Sequence, residues 1–183
     1  ESRYRPLPAD WLVGVADVNF DQAQAVASRH DAQAYRDYHE LLDKVDAACI
    51  VAPTSLHGTI ATPFLKRGIS LLVEKPIAGT LERARDMIWV AEQNSVRLMI
   101  GHIERFNPAI VELKRRIEQV GDIFQISARR IGPFPDRIQD VGVVVDLASH
   151  DIDAMNYILD VPVESVYAQT AQRIHAAHED MLL

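Results

Sequence analysis

The first hundred residues repeat one pattern that few folds accommodate: short runs of apolar residues, barely interrupted by polar ones, each followed by a helical stretch. The runs are Trp11 to Ala16, ending in Asp17; Ala47 to Ala52; Ser70 to Glu74; and Val96 to Ile100. Ala32 to Tyr35 is a shorter candidate. Helices are expected over Asp21 to His30, Asp37 to Val45, His57 to Lys66 and Leu81 to about Gln93, with Gly68 stopping one and Thr80 capping another. A strand with one wet face alternates apolar and polar residues. These runs do not alternate, so they are expected to be buried on both faces of a parallel sheet with helical crossovers.

After His102 the pattern changes. Asn107 and Pro108 supply an N-cap and first residue for a helix reaching about Val120. Ile123 to Arg130 alternates and reads as a strand with one wet face, 131–140 as a loop, Val143 to Leu159 as a helix and Val163 to Arg173 as another strand. The expected fold is α/β: a Rossmann-type doubly wound parallel sheet over residues 1–103, then an α+β substrate domain with an open sheet over 104–183, the boundary falling near Gly101 to Arg105. Both ends read as lying inside a fold. The first βα unit is expected before Glu1 and the remainder of the second sheet after Leu183.

Charge and cysteine content narrow the function classes. The net charge is -7 and no basic stripe is present, which argues against a nucleic-acid duplex or an anionic membrane as partner but leaves room for an anionic small ligand in a locally basic pocket. The single cysteine, Cys49, lies in an apolar run and reads as a small buried side chain, without a disulfide or a cysteine-based metal site. No apolar run approaches the ~20 residues a membrane span requires, and a cytoplasmic location is expected. His30, His39, His175 and His178 read as surface residues.

Ligands of parallel sheets bind at the carboxyl ends of the strands. Four such ends carry polar residues here: Asp17; Thr54 with Ser55; Glu74 with Lys75; and His102. In dinucleotide folds an acid at the end of the second strand takes the adenosine ribose hydroxyls, ~20 residues after a glycine-rich fingerprint. Counting back from Asp17 passes Glu1, so that fingerprint is expected upstream. Asp17 also favours NAD over NADP, because a 2'-phosphate beside it would meet a repulsion of about 4 kcal/mol per unit charge at 4 Å in a surface-like medium. The alternative reading of Asp17 is a solvated turn aspartate.

Glu74-Lys75-Pro76 after a buried strand resembles the Glu-Lys-Pro motif of the glucose–fructose oxidoreductase / inositol dehydrogenase family. Ala52-Pro53-Thr54-Ser55-Leu56-His57 resembles that family's turn after the fourth strand. Gly101-His102-Ile103-Glu104-Arg105-Phe106-Asn107-Pro108 resembles its crossover into the second domain, and Asp146-Leu147-Ala148-Ser149-His150-Asp151-Ile152-Asp153 its substrate-domain helix. Arg129 to Arg137, with Asp140-Val141-Gly142-Val143, is similar to the nucleotide-sugar dehydrogenases of the family, the UDP-N-acetylglucosamine 3-dehydrogenase-like group. The resemblance implies a nicotinamide enzyme acting on a sugar, inositol or nucleotide sugar, working as a homo-oligomer, dimer or tetramer. It implies that Asp17, Ala52, Pro53, Thr54, Ser55, His57, Glu74, Lys75, Pro76, His102 and Arg105 lie around the cofactor. It also implies that Pro76 follows a cis bond, that Lys75 reaches both the nicotinamide ribose and the reacting hydroxyl, and that Asp146 and His150 line the substrate pocket.

These residue types suit alcohol oxidation, which needs a proton acceptor and positive charge beside the developing alkoxide. Asp146 and His150, four apart, share one face of a helix. The carboxylate can then hold the imidazole tautomer. Lys75 is expected to polarise the oxygen and His150 to exchange the proton, with the reverse assignment open. Without the motifs, Asp146 and His150 would read as an ordinary helix-surface pair. Asp153 lies one turn beyond His150, but no second histidine stands at helical spacing and no metal is expected. Arg129, Arg130 and Arg137 suit a diphosphate or carboxylate of the substrate, or form an exposed basic loop. Two rival functions remain: a catalytically silent NAD-binding regulator on the same scaffold, and an isomerising or hydrolytic enzyme that recycles bound NAD.

Overall fold

The structure, a computed structural model, describes residue 8 and residues 11–132 and 141–183. It divides into two compact units, Glu1–Gly101 and His102–Leu183.

The first unit opens with β1 (Gly14–Ala16), α1 (Phe20–Ala27) and β2 (Gln33–Tyr35). β1 and β2 pair in parallel, Val15 opposite Ala34. Asn19 caps α1 by accepting the Gln22 N–H at 3.4 Å, and the fully buried Ala23 and Ala27 pack with Ala34, where small side chains allow helix and strand to approach closely. Next come β3 (Ala47–Ile50), α2 (His57–Lys66), β4 (Ser70–Val73), α3 (Leu81–Gln93) and β5 (Leu98–Ile100). Their strands form a second parallel sheet in the order β3-β4-β5. Thr80 caps α3 as its position in the sequence suggests, accepting the Arg83 N–H at 3.3 Å.

The core lies on one face of this sheet. Ile50, Leu71 and Val73 pack against Ala61, Phe64 and Leu65 of α2 and Met87, Val90 and Ala91 of α3. On the other face Cys49, Leu72 and Met99 stand side by side in register, Leu72 38% and Met99 50% exposed, and Cys49 is exposed as well. The expectations of sheets buried on both faces and of a buried Cys49 are therefore corrected for the described residues. An unbroken apolar run makes both sides of a strand apolar, but only a packed element buries a side, and α2 and α3 cover one.

The helix expected over Asp37 to Val45 is a single 3-10 turn, Tyr38–Leu41, capped by Asp37, which accepts the His39 N–H at 2.9 Å. The adjacent Leu41 and Leu42 are both buried, so this stretch turns toward the core rather than extending along it.

In the second unit α4 (Pro108–Arg116) begins as expected, Asn107 accepting the Ala109 N–H at 3.0 Å. It packs against α5 (Ser149–Leu159), which ends where Asp160 enters the left-handed region at φ 54°. The stretch expected to start that helix, Val144–Ala148, is a π turn instead. Two strand expectations are corrected. Ile123 to Arg130 forms no ladder, and only Thr170–Ala171 (β6) of the segment Val163 to Arg173 pairs, antiparallel, with Met181–Leu182 (β7). Alternation gives a segment two faces, but a strand needs a partner backbone; Phe124 stays 93% exposed. His175 is buried rather than on the surface: its Nδ1 accepts the N–H groups of Ala177 and His178, both at 3.0 Å. No helix among the described residues is long and apolar enough to cross a membrane.

Candidate active site

Because β3, β4 and β5 are parallel, their carboxyl ends lie on one edge and present Ala52 to Ser55, Glu74 to Pro76, and Gly101 with His102. Asp17 follows β1 in the same way; its N–H donates to Tyr35 O and its Oδ1 accepts the Asn19 N–H at 2.8 Å. The Lys75–Pro76 peptide is cis. The turn is held by His57, which is buried between two backbone carbonyls: Nδ1 lies 2.9 Å from Pro76 O and Nε2 2.8 Å from Ala52 O. His57 was expected beside the cofactor. Its two ring nitrogens lie within hydrogen-bond distance of carbonyls in the two neighbouring turns, which the ring bridges. Glu74 lies against Gly101, where an added Cβ would meet its carboxylate at 3.0 Å and the Glu74 side chain would have to shift slightly. Pro53 and Ser55 are exposed, and Ala52, Thr54, Lys75 and Pro76 are half-buried.

One residue near Asp17 escaped the sequence reading. Arg36 follows β2 directly and stacks over Phe20, 4.6 Å from the ring centroid. It stands 19 positions from Asp17 in the chain, yet the β1-β2 ladder, with Ala16 opposite Tyr35, brings the two strand ends together. The signal was a basic residue at the end of a second strand, legible only once that strand's partner was known.

The second unit gathers a denser charged cluster. Arg105 grips Asp153 with both arms of its guanidinium, at 2.8 and 2.5 Å, and His102 Nδ1 lies 3.4 Å from the same carboxylate. Burial pushes the Asp153 carboxyl up; the Arg105 hydrogen bonds and the charges of His102, Arg105 and His150 outweigh it and hold the carboxyl below its ordinary range. Glu104 is also lowered, by the hydrogen bonds of Asn107 and Arg130 and by the charges of Arg130 and His150. His150 is therefore within electrostatic reach of two carboxylates, Glu104 and Asp153. Asp146 and His150 are both half-buried, on the π turn and at the start of α5.

Two expected ligand-binding arginines are engaged with the protein itself. Arg105 serves Asp153. Arg130 donates its Nε to both Asp151 oxygens at 3.0 Å and its terminal nitrogen to Glu104 at 3.2 Å. Its charge is thus offset by two acids in this structure. Arg129 is exposed. Arg137 lies outside the described residues. Asp153, given only a passing role in the sequence reading, is the centre of the cluster; a buried acid three residues after a histidine carries no sequence signal that separates it from a surface one. Among the described residues no group of histidine, cysteine, aspartate and glutamate is arranged to hold a metal ion.

A parallel sheet with polar strand ends and a cis Lys-Pro turn, followed by a separate compact unit with an acid–histidine helix, is the layout of a Rossmann-type domain joined to a second unit. Residues 4–102 match the model of an oxidoreductase family with an NAD-binding Rossmann fold, and residues 110–182 match the C-terminal domain of the same GFO/IDH/MocA family; the chain belongs to that family. It is 37% identical over 142 residues to a UDP-N-acetylglucosamine 3-dehydrogenase of Acidithiobacillus ferrooxidans, covering 78% of this chain and 45% of that protein. It is 28% identical to an inositol 2-dehydrogenase of Rubrobacter xylanophilus, over 100% of this chain and 55% of the relative. A dehydrogenase of Bordetella pertussis solved with NADH and UDP-GlcNAcA matches with a TM-score of 0.74 at 28% identity, over 90% of this chain and 51% of that one. The chain spans about half the length of the relatives it matches.

Proposed function

We propose that the full-length protein is an NAD-dependent oxidoreductase that moves a hydride between nicotinamide and a ring hydroxyl or ketone of a sugar or nucleotide sugar. The observation that carries this reading is the Glu74-Lys75-Pro76 turn at the carboxyl end of β4, clamped through His57 to the turn after β3. The residues present suit a dinucleotide: Asp17 for the ribose hydroxyls, the Ala52 to Ser55 turn and the crossover at His102 along the strand ends. The bound cofactor supplies the hydride chemistry. Lys75 places positive charge at the substrate oxygen, where charge develops as the alcohol is oxidised. His150 exchanges the hydroxyl proton, Asp146 orients its ring, and Glu104 and Asp153 supply negative charge that favours the imidazolium formed in that step. A homo-oligomeric enzyme of the cytoplasm belongs to the same proposal and rests on the family resemblance.

The direct test mixes the full-length protein with NAD and a panel of UDP-sugars, inositols and free hexoses while NADH absorbance is followed. A rise with one substrate class is expected. Tight NADH binding without turnover across the panel and its keto counterparts would favour a silent regulator, and conversion of substrate without net NADH would favour an enzyme that recycles its cofactor.

Asp17 is proposed to set the preference for NAD, with Arg36 beside it able to meet a phosphate once the carboxylate is gone. Asp17→Ala is expected to move the ratio of kcat/KM for NADP over NAD upward by about tenfold or more, the equivalent of about 1.4 kcal/mol of relieved repulsion. A ratio that stays where it was would place the ribose elsewhere.

A further inference from the structure

The stretch of chain that bears Asp146 and His150 opens on one α-type bond, the Asp146 N–H to Gly142 O at 2.9 Å, and then widens. Val144–Ala148 wind as a π turn before α5 continues. At the junction the Ser149 N–H bonds to Val144 O, five residues back. In an uninterrupted α-helix that N–H would pair with Val145 O. Val145 O instead accepts the Ser149 hydroxyl at 2.7 Å. A side-chain donor thus stands where a main-chain donor would be, and the widened turn does not strand a carbonyl in a half-buried place.

The other end of the turn is pinned as well. The Val143 N–H donates to Glu179 O at 2.9 Å and the Val144 N–H to Glu179 Oε1 at 3.3 Å. Gly142 packs so closely on the Glu179 carboxylate that a Cβ there would overlap it. A π turn rotates each residue by less than an α-helix does, so it resets the bearing of residues before it relative to those after it. Asp146 lies inside the turn and His150 just beyond. We propose that Ser149 is a positioning residue, its hydroxyl locking the widened turn that sets the bearing of Asp146 relative to His150. This rests on the reading of Asp146 and His150 as the proton-exchanging pair. Charged groups facing His150 include Asp153 on α5 and Glu104 from the 3-10 turn Ile103–Phe106, and Asp146 lies four residues before it in the chain; His102, Arg105 and Arg130 bind the first two carboxylates in turn.

The test compares full-length wild type, Ser149→Ala and Ser149→Thr by melting temperature, by kcat and KM, and by NMR titration of the His150 imidazole, assigned from its loss in His150→Gln. Threonine keeps a hydroxyl that reaches the carbonyl four residues back. Ser149→Ala is expected to lower kcat roughly 10- to 100-fold, leave KM for the nicotinamide cofactor unchanged and move the His150 titration midpoint, while Ser149→Thr restores both. If Ser149→Ala does not fold, Ser149→Cys carries the same comparison, since a thiol is a weak donor of similar size. A lowered melting temperature with unaltered kcat and His150 midpoint would leave Ser149 a purely structural role and overturn the proposal. If the wild type turns over no substrate, the His150 midpoint still moves or stays put, so the positioning inference stands or falls apart from the enzymatic reading.

Discussion

Lys75→Ala in the full-length protein is expected to cut kcat by about 10³-fold or more, with little change in KM for the nicotinamide cofactor. A single donor at a developing oxyanion is worth roughly 10²–10³ in kcat, and a share of the proton transfer would add to it. The fold should survive. The turn that carries Lys75 is held by main-chain carbonyls on His57 and by the strand register of β4, Val73 opposite Ile50 and Ile100, none of which involves the lysine side chain. Melting temperatures of variant and wild type should therefore agree within about a degree or two, the range of an ordinary surface substitution. Retained turnover in a folded, cofactor-binding Lys75→Ala protein would remove the lysine from the chemistry and with it the proposed mechanism.

The second large effect is on stability. Asp153→Asn should destabilise the unit His102–Leu183 by about 2 kcal/mol at neutral pH, less than the roughly 3–5 kcal/mol that removing one partner of a buried ion pair costs, because the Arg105 side chain is 44% exposed and water screens its stranded charge. In a domain of this size that corresponds to about 8–16 °C in Tm. The sign of the pH dependence follows from the lowered Asp153 carboxyl. A group whose pKa is lower folded than unfolded stabilises the fold above its unfolded value, near 3.8, and loses that contribution as pH falls through its folded value. The gap between wild type and Asp153→Asn should shrink as pH falls below about 4. Melting curves from pH 3 to 7 decide it: a gap that does not narrow in acid would mean that the charge of Asp153 is not what Arg105 and His102 hold.

Much of the element pattern was legible because its signals are local. The caps at Thr80 and Asn107 depend on residues within one helical turn, and the strand cores of β3 and β4 on contiguous apolar runs. Element lengths were less legible. Asp37 to Val45 has helical spacing, but the burial of Leu41 and Leu42 together favours a 3-10 turn. Ile123 to Arg130 alternates as a strand should, yet pairing is a property of two segments and only one of them is written there. In the site, the Glu74-Lys75-Pro76 motif named its own position, while the engagement of Arg105 and Arg130 by acids 48 and 21 residues away was hidden. An arginine in a sequence carries a charge; whether that charge is spent inside the protein depends on which acids the fold brings beside it.

What the amino-acid sequence determined by itself is the alternation of apolar strands and helices, the ends at which polar residues collect, and the family motifs on them, since these follow from neighbours along the chain. Tertiary structure alone decided that His57 ties two turns, that Arg36 stands beside Asp17's strand, that Asp153 anchors Arg105, and that a π turn sits under Asp146. Each of these depends on hydrogen bonds or packing whose partners are far apart in the chain or compete with a regular helix, and such a competition is settled only by the energy of the whole packed arrangement.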